Sequence, residues 1–381
     1  MKHAFLLSLF TLVFFSFELR SDDTKADIAE VLKQQVMEQQ QEAKLIGLGV
    51  VYIKNGNIVG PFVSGKRHKD KDVAVSAQDK WHIGSITKSF TSMVIAQLVA
   101  EKKLTWDTDV KSVFKGAENI DEGWSKVTLA HLVTHTSGAV PNFSMSVSFE
   151  KPEEGAERMK AREQAVLGVL ANKPTTEPGT TFVYSNVGYT IAGAMAEKVT
   201  GVAWEDHVRQ KIFKPLGITS GGFGAPLDDN GILSQPRGHK NFFGMVISAD
   251  DFSDNTPIMG PAGTIHMSLT DLARYGYEHV KNVQGRSKVF DAESAKGLYK
   301  PFMQNYGYGF VVLKDEAHYQ GPLIWHNGTN TMWYALLVFI PSANAVVAIA
   351  SNDGNIQAAE KSAWTIARAV FKASGAIAND D

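Results

Sequence analysis

The segment from Ser85 to Lys103 constrains the fold of this chain more than any other. Its composition is helical, and its middle, Met93-Val-Ile-Ala96, is apolar on every side. A helix that docks on a surface keeps one polar face, whereas a helix that is apolar all round has to be enclosed by other elements. The sequence therefore predicts a buried helix here, inside a folded globular protein.

Strand patterns occur near both ends of the chain. Gly49 to Lys54 and Asn57 to Val63 are strand-like, and Asn55-Gly56 between them is a strong signal for a two-residue hairpin. Near the C-terminus, the apolar runs Trp333 to Ile340 and Ala345 to Ser351 predict a second antiparallel pair.

The other periodic segments are helical. Asp27 to Lys44 reads as an amphipathic helix, Gly188 to Val199 as a second helix and Ile356 to Lys372 as a closing helix. Strands from both chain ends with helices between them predict an α/β (α+β) fold, in which helices flank one antiparallel sheet that carries a mostly helical insertion. The sheet half should comprise about 22–80 and 240–381 and the helical half about 81–239, with the active site in the crevice between them.

The composition excludes several kinds of chemistry. The 381 residues include no cysteine, which rules out thiol nucleophiles, zinc–thiolate sites and disulfides. The 38 Lys and Arg residues balance 40 Asp and Glu residues, so no global basic field favours a nucleic-acid partner. The chain has no His-Glu-x-x-His and no Gly-x-Ser-x-Gly sequence, which argues against a metalloprotease and against the α/β-hydrolase arrangement. We therefore expect neither a metal nor a cofactor.

The first residues have the pattern of a secretion signal. Lys2 and His3 precede the uncharged stretch Ala4 to Phe17, and charged residues follow from Glu18 onward. That stretch is too short to span a bilayer but fits the apolar region of a signal peptide. The sequence predicts a signal peptide at 1–21 and a mature chain at 22–381 that is periplasmic or secreted and has no membrane span. A buried N-terminal helix is the alternative.

Ser85-Ile-Thr-Lys88 opens the predicted buried helix. Spacing i, i+3 puts both side chains on one face, where an amine held close and neutral can take the serine's proton. The same four-residue pattern recurs at Ser112 and at Ser148, but neither opens an apolar helix. Only Ser85 is placed to use the helix dipole and a backbone N–H for an oxyanion. The alternative is an ordinary helix start.

Tyr184-Ser-Asn186 follows the turn signal Pro178-Gly179 and precedes a helix. A phenol beside a lysine can act as a base or proton relay when the cation lowers its pKa. The amide of Asn186 can hold the lysine and the carbonyl side of a substrate. A tyrosine in such a place is, alone, more often a core aromatic with a satisfied hydroxyl.

His326-Asn-Gly328 follows the strand-like Leu323-Ile-Trp325. Gly328 allows a substrate to approach the strand backbone, and the Thr329 N–H could act as an oxyanion donor. A strand histidine satisfied by a neighbour is the alternative.

In this order, the three patterns resemble the serine hydrolase family that includes class C β-lactamases, DD-carboxypeptidases, D-aminopeptidases and related esterases. The resemblance covers roughly 30–370 and extends to longer blocks: Trp81–Lys88, Val127–Gly138, Pro178–Asn186, Ile212–Gly217, Pro261–Thr264 with Leu269–Ala273, and Tyr306–Phe310. It implies a β-lactamase/transpeptidase-like fold.

The resemblance also implies roles for individual residues. Ser85 would be the acylated nucleophile, and Lys88 with Tyr184 the proton-transfer pair. Asn186 would position the substrate. The amides of Ser85 and Thr329 would form the oxyanion hole, beside His326 and Gly328 in the substrate-binding strand.

This chain departs from the penicillin-hydrolysing members, which usually have Lys-Thr/Ser-Gly where it has His326-Asn-Gly328. Histidine becomes a cation only near and below pH 6.5, its unperturbed pKa. The resemblance therefore implies acyl hydrolysis of an ester, amide or D-amino-acid peptide rather than efficient β-lactamase activity. The expected partner is a small-molecule or short-peptide substrate, and the sequence predicts no oligomeric state. The alternative is a non-catalytic or penicillin-binding relative that acts as a sensor.

Two further clusters receive structural interpretations. Asp250, Asp251 and Asp254 lack calcium-loop spacing and predict a solvated loop. His131 and His135 lie i, i+4, but Thr136-Ser-Gly138 ends that segment as a helix, so we expect structural roles for both.

Overall fold

The computed structural model describes residues 27–228, 232–242, 245–249, 254–314 and 321–378. The predicted signal peptide, and Asp250 and Asp251 of the acidic cluster, lie outside these residues. The helices are α1 (27–42), α2 (Thr87–Ala100), α3 (Val110–Val113), α4 (Leu129–Val133), α5 (Met145–Ser148), α6 (Ala156–Leu170), α7 (Asn186–Thr200), α8 (Trp204–Val208), α9 (Lys214–Leu216), α10 (Gly260–Gly263), α11 (Leu269–Val283), α12 (Ala292–Ala295) and α13 (Ile356–Ala373). The strands are β1 (Gly47–Lys54), β2 (Asn57–His68), β3 (Lys71–Ala74), β4 (Lys80–His82), β5 (Gly222–Phe223), β6 (His239–Phe242), β7 (Met245–Ser248), β8 (Ile265–Ser268), β9 (Val311–Leu313), β10 (Leu323–Thr329), β11 (Tyr334–Ile340) and β12 (Ala345–Ser351).

The central sheet is built from both chain ends. Its seven strands follow the order β3-β2-β1-β12-β11-β10-β9, and every neighbouring pair is antiparallel. The hairpin at Asn55-Gly56 and the β11–β12 pair occur where the sequence predicts them. The smaller sheets have the orders β4-β8-β5 and β6-β7. The predicted fold class is thus confirmed.

Alternation along the central strands divides the core into two layers. Leu48, Val50 and Tyr52 of β1 pack in one apolar cluster with α1 and α13, whereas Val51 and Ile53 belong to a second cluster with α11 and the helical half. Successive strand residues point to opposite faces, so a strand buried on both sides needs apolar residues at nearly every position.

Helix α2 is buried along almost its whole length, as its apolar composition predicts. It lies against α7, α10 and α12. It begins at Thr87, after the 3₁₀ turn Gly84–Ile86. Within the described ranges, none of the helices has the length and apolar character needed to cross a membrane.

Candidate active site

Ser85 lies at the start of the buried helix, half-buried in the 3₁₀ turn Gly84–Ile86. Lys88, in the first turn of α2, brings its Nζ to 2.9 Å from Ser85 Oγ. The sequence places Ser85 in the first turn of the helix itself. The structure places it just before, in the tighter turn, where side chains three residues apart eclipse each other and still meet.

Lys88 is fully buried, and the hydrogen-bond partners that the structure gives its amine are neutral. Nζ lies 2.8 Å from Asn186 Oδ1 and 2.8 Å from the Ala262 carbonyl oxygen. Burial penalises an ammonium, which lowers the pKa of Lys88 well below its usual value. A neutral amine donates two N–H groups, here to Asn186 and Ala262, and its lone pair is left for the Ser85 hydroxyl. The geometry therefore places a base against the serine.

Tyr184 lies beside the same amine. Lys88 Nζ is 4.8 Å from the centroid of the Tyr184 ring, and the residue is 39% exposed, so its ring forms part of the open wall of the site. The sequence interpretation required a lysine cation to lower the pKa of the phenol. That condition is not met. Although part of the residue is exposed, its phenol group is enclosed, and this burial raises the pKa of Tyr184 to about 12, a rise that the hydrogen bond with Ser85 offsets only in part. The phenol keeps its proton at neutral pH and can relay one.

Asn186 is the first residue of α7, whose N-terminus is capped by the Ser185 side chain. Its Oδ1 accepts from Lys88, and its Nδ2 donates to Asn142 Oδ1 at 2.7 Å. Asn142 received no role of its own from the sequence, because its loop carries no motif. Because Asn186 Nδ2 donates to Asn142, the oxygen end of the Asn186 amide is the end that points at Lys88.

Strand β10 approaches the Ser85 turn backbone to backbone. A Cβ on Gly328 would lie 2.0 Å from the Ile83 oxygen and 2.5 Å from the Ser85 nitrogen, and a Cβ on Gly84 would lie 2.3 Å from the Thr329 nitrogen. Only glycine fits at such distances, and Gly84 also has a φ of +51°. The amides of Ser85 and Thr329 are therefore carried by two segments in direct contact.

His326 is buried on β10, opposite Leu337 of β11. Its Nδ1 is hydrogen-bonded to the Asn327 carbonyl oxygen, and its Nε2 lies 2.9 Å from the Tyr306 hydroxyl. Because a carbonyl only accepts, Nδ1 carries the proton and Nε2 accepts from the tyrosine. Burial, with the nearby Lys88, lowers the pKa of His326 to about 3. The expectation that this residue becomes a cation near pH 6.5 is therefore wrong.

A cavity of about 480 Å³ opens over Ser85. Its lining residues are Ser85, Phe182, Tyr184, Asn186, Gln304, Tyr306, Val311, Trp325, His326, Asn327, Gly328 and Thr329. Six of the seven site residues that the sequence singles out are among them, and the seventh, Lys88, contacts Ser85 from below. The structure thus brings all seven together, while their catalytic and binding roles stay predictions.

The other two serines with a lysine three residues later lie elsewhere. Ser112 and Ser148 are exposed, and each hydroxyl donates to a nearby backbone oxygen, that of Asp109 or Ser144. Neither serine lines the cavity over Ser85.

His135 lies behind Tyr184, outside the helix that contains His131. Its φ is +60°, beyond the end of α4, and its Nδ1 accepts the Ser185 N–H at 3.0 Å. Its ring centroid is 4.2 Å from that of Tyr184. Among the described residues, no three His, Asp or Glu side chains converge in a way that could hold a metal ion.

Asp254 is not part of a solvated loop, which corrects the interpretation of the acidic cluster. Its side chain is only 6% exposed and lies 3.0 Å from His82 Nε2. The pair is separated by 172 residues in the chain, so spacing gives no hint of it.

Known proteins resemble this chain over most of its length. A family model described as Beta-lactamase matches residues 32–371. Penicillin-binding protein 4 of Amycolatopsis lactamdurans is 25% identical over 306 residues, which cover 76% of this chain and 77% of that protein. Protein flp of Staphylococcus aureus is 22% identical to this chain, and the match covers 87% of this chain. The match covers 64% of protein flp, which is less than two thirds of that protein's length.

Among solved structures, the D-amino acid amidase from Ochrobactrum anthropi SV3 in complex with L-phenylalanine superimposes with a TM-score of 0.72. The match covers 91% of this chain and 98% of the amidase at 18% identity. At that identity the likeness establishes the fold alone.

Proposed function

Because the chain belongs to the beta-lactamase family, we propose that it is a serine acyl hydrolase that works through an acyl-enzyme on Ser85. One observation carries the proposal: a buried amine with a lowered pKa, that of Lys88, lies 2.9 Å from Ser85 Oγ. A serine hydroxyl attacks a carbonyl group only when a neighbour takes its proton. Lys88 can do so without a metal or cofactor.

The proposed reaction has two half-reactions. Lys88, with Tyr184 as proton relay, takes the Ser85 proton while Oγ attacks the substrate carbonyl carbon, and the backbone amides hold the oxyanion. The proton then passes to the leaving oxygen or nitrogen as its bond to the carbonyl carbon breaks. A water molecule, deprotonated by the same pair, attacks the acyl-enzyme and releases the acid with regeneration of Ser85. Asn186 holds Lys88 throughout and orients the carbonyl side of the substrate.

The cavity favours substrates that carry no charge beside the scissile bond. Its described lining includes four aromatic side chains and no Lys, Arg, Asp or Glu. His326 stays neutral because its pKa is about 3. A substrate carboxylate would lose water there without meeting a fixed cation, which is unfavourable. We therefore expect neutral esters and amides, including those of D-amino acids, to react better than β-lactams or peptides with a free C-terminal carboxylate.

A fluorophosphonate label and a hydrolysis panel test the proposal. The panel comprises p-nitrophenyl esters, D-amino-acid amides, nitrocefin and D-Ala-D-Ala peptides. Ser85→Ala should abolish labelling and turnover, since it removes only the attacking oxygen. Ser112→Ala and Ser148→Ala remove the hydroxyls of the two other serines that have a lysine three residues later, and these variants should behave as wild type.

Two outcomes would count against the proposal. Residual turnover by Ser85→Ala within about tenfold of wild type, some 1.4 kcal/mol of barrier, would show that another group attacks the substrate. Labelling of Ser85 without turnover of any substrate would instead support a binding or sensor protein.

A further inference from the structure

A buried histidine and aspartate connect the two backbone segments that carry the expected oxyanion donors. His82 is fully buried at the end of β4; its Nδ1 lies 3.1 Å from the Gly84 nitrogen and its Nε2 3.0 Å from Asp254 Oδ1. Because the Gly84 N–H donates to Nδ1, that nitrogen carries no proton, and Nε2–H donates to the carboxylate. A neutral ring thus links Asp254 to the residue that precedes Ser85.

Asp254 also reaches the other segment. Its Oδ1 accepts from Asn330 Nδ2 at 2.9 Å, and Asn330, itself 7% exposed, directly follows Thr329. The Asn255 N–H donates to the same oxygen at 2.6 Å. A carboxylate at this depth persists only where hydrogen bonds replace its water. Here two of those bonds lead to the oxyanion donors, one through Asn330 beside Thr329 and one through His82 and Gly84 to Ser85.

We propose that His82 and Asp254 are positioning residues that hold the Ser85 and Thr329 amides at a fixed separation. The inference rests on the proposed function, since it takes these amides as the oxyanion donors. The two segments are packed backbone against backbone, because a Cβ on Gly84 would lie 2.3 Å from the Thr329 nitrogen. A shift of either segment changes the donor geometry, and preorganised donors lose much of their effect when displaced.

Three substitutions separate the links in this network. His82→Asn keeps an oxygen near the place of Nδ1 for the Gly84 N–H but cannot reach Asp254. Asp254→Ala removes the carboxylate. Asp254→Asn keeps one acceptor oxygen but places an N–H group where the second carboxylate oxygen lies 3.1 Å from His82 Nε2. We expect the first two to lower kcat by about 10- to 100-fold, the loss that follows a displacement of about 1 Å. Asp254→Asn should lose less kcat than Asp254→Ala, because it keeps one of the two acceptor oxygens.

The division between kcat and KM distinguishes positioning from a loss of stability. Oxyanion donors act on the transition state, so KM should stay within about threefold of wild type. The affinity for an arylboronic acid, whose tetrahedral adduct with Ser85 places an oxygen in the oxyanion position, should fall in parallel with kcat. Combining His82→Asn with Asp254→Ala should cost little more than either change alone, because both break one network.

Asp79→Asn is the matched control. Asp79 is also a buried carboxylate, 1% exposed, and accepts from Arg67 and Ser76. It should lower Tm without lowering kcat, when kcat is expressed per site labelled by fluorophosphonate. That normalisation counts only folded sites, so a variant that folds poorly still gives a value.

The proposal is overturned if His82→Asn and Asp254→Ala keep kcat per labelled site within about threefold of wild type, far below the loss expected from displaced donors. It is also overturned if affinity for the boronic acid is unchanged, or if Asp79→Asn loses kcat equally. None of these results bears on whether Ser85 is the nucleophile. Failure of the proposed function would show itself differently, as turnover that survives Ser85→Ala.

Discussion

Lys88 and Arg162 are both buried basic side chains, but their surroundings are opposite. Arg162 pairs with the carboxylates of Glu197 and Glu205, the second at 2.7 Å, whereas the amine of Lys88 contacts neutral oxygens. Burial alone would lower the pKa of both the Lys88 amine and the Arg162 guanidinium. At Arg162 the two carboxylates outweigh burial and raise the pKa, and at Lys88 burial prevails.

Both side chains hold the same short segment. Arg162 donates to the backbone oxygens of Pro257 and Ile258, and Lys88 donates to that of Ala262. A permanently charged group therefore anchors the segment that supplies one partner of the neutral amine. The comparison teaches that burial by itself does not identify a reactive base. The absence of a carboxylate among the described partners of Lys88 is what separates it from a structural cation.

The largest expected effect is on the chemistry at Lys88. Lys88→Ala and Tyr184→Phe should each lower kcat by about two to four orders of magnitude, the usual range for a positioned proton-transfer group. The double variant should lose much less than the product of the two effects, because groups that act as a unit are not additive. Steady-state kinetics on one neutral p-nitrophenyl ester measures all three. Multiplicative losses would mean that Tyr184 only packs against the site.

The next effect is on stability and separates the two buried cations directly. Arg162→Met removes the main cation beside two buried carboxylates and should lower the free energy of unfolding by about 3–5 kcal/mol. Glu197 then still accepts from the Trp204 N–H, and Glu205 from Arg158 at 3.3 Å. Lys88→Met leaves neutral acceptors unsatisfied, but it also removes the cost of deprotonating an amine that is charged in the unfolded chain. It should therefore destabilise the protein far less than Arg162→Met, or even stabilise it. Activity should show the reverse order: folded Arg162→Met, which loses only an anchor of the segment that carries Ala262, should keep much of its kcat, whereas Lys88→Met should be inactive. Urea unfolding at pH 7 and kinetics on the same samples test both statements.

A triple variant provides the control for that prediction. Adding Glu197→Gln and Glu205→Gln to Arg162→Met removes the two charges that Arg162 no longer balances and should recover part of the lost stability. If Lys88→Met proves as destabilising as Arg162→Met, the contrast between the two sites fails.

The parts of the fold that the sequence predicts correctly depend on local patterns. The β1–β2 hairpin follows from Asn55-Gly56, and the enclosure of α2 follows from its all-apolar middle. Both signals lie within about twenty residues of chain. The gathering of Ser85, Tyr184 and His326 around one cavity follows instead from the family resemblance, because no local pattern relates segments so far apart.

What the sequence does not predict depends on distant contacts and on burial. The Ala262 oxygen reaches Lys88 across 174 residues, and Asp254 reaches His82 across 172. Neither pair has a motif, because any backbone carbonyl or loop aspartate could serve. The pKa values of Tyr184 and His326 depart from expectation for the same reason. Burial sets both, and burial depends on the course of the whole chain.

The smallest expected effect concerns His326. Its buried ring resembles Arg162, the structural cation, only if the ring carries a charge. With a pKa of about 3, less than roughly 1% of His326 is protonated at pH 5.5. Two esters with one acyl group, m-carboxyphenyl and m-carbamoylphenyl phenylacetate, report on this charge, after each rate is normalised to hydrolysis by hydroxide. The titration of Lys88 affects both and cancels in their ratio.

We expect the ratio of kcat/KM for the anionic ester to that for the neutral ester to change by less than about twofold between pH 5.5 and 8. His326→Lys has a longer side chain that can carry its amine into the open cavity as a cation, and it should raise the ratio most at the acid end of this range, where the amine is protonated. His68→Lys makes the same change on β2, outside the cavity, and should not raise it. A wild-type ratio that rises as pH falls through about 6.5 would mean that His326 titrates at its unperturbed pKa. Its bonds to Tyr306 and to the Asn327 oxygen would then not hold the ring neutral. If the ratio is flat, His326→Gln distinguishes the two remaining roles of this residue. A fall in kcat for the neutral ester would indicate a proton relay that all substrates share. An unchanged kcat would indicate a structural strand histidine held by Tyr306.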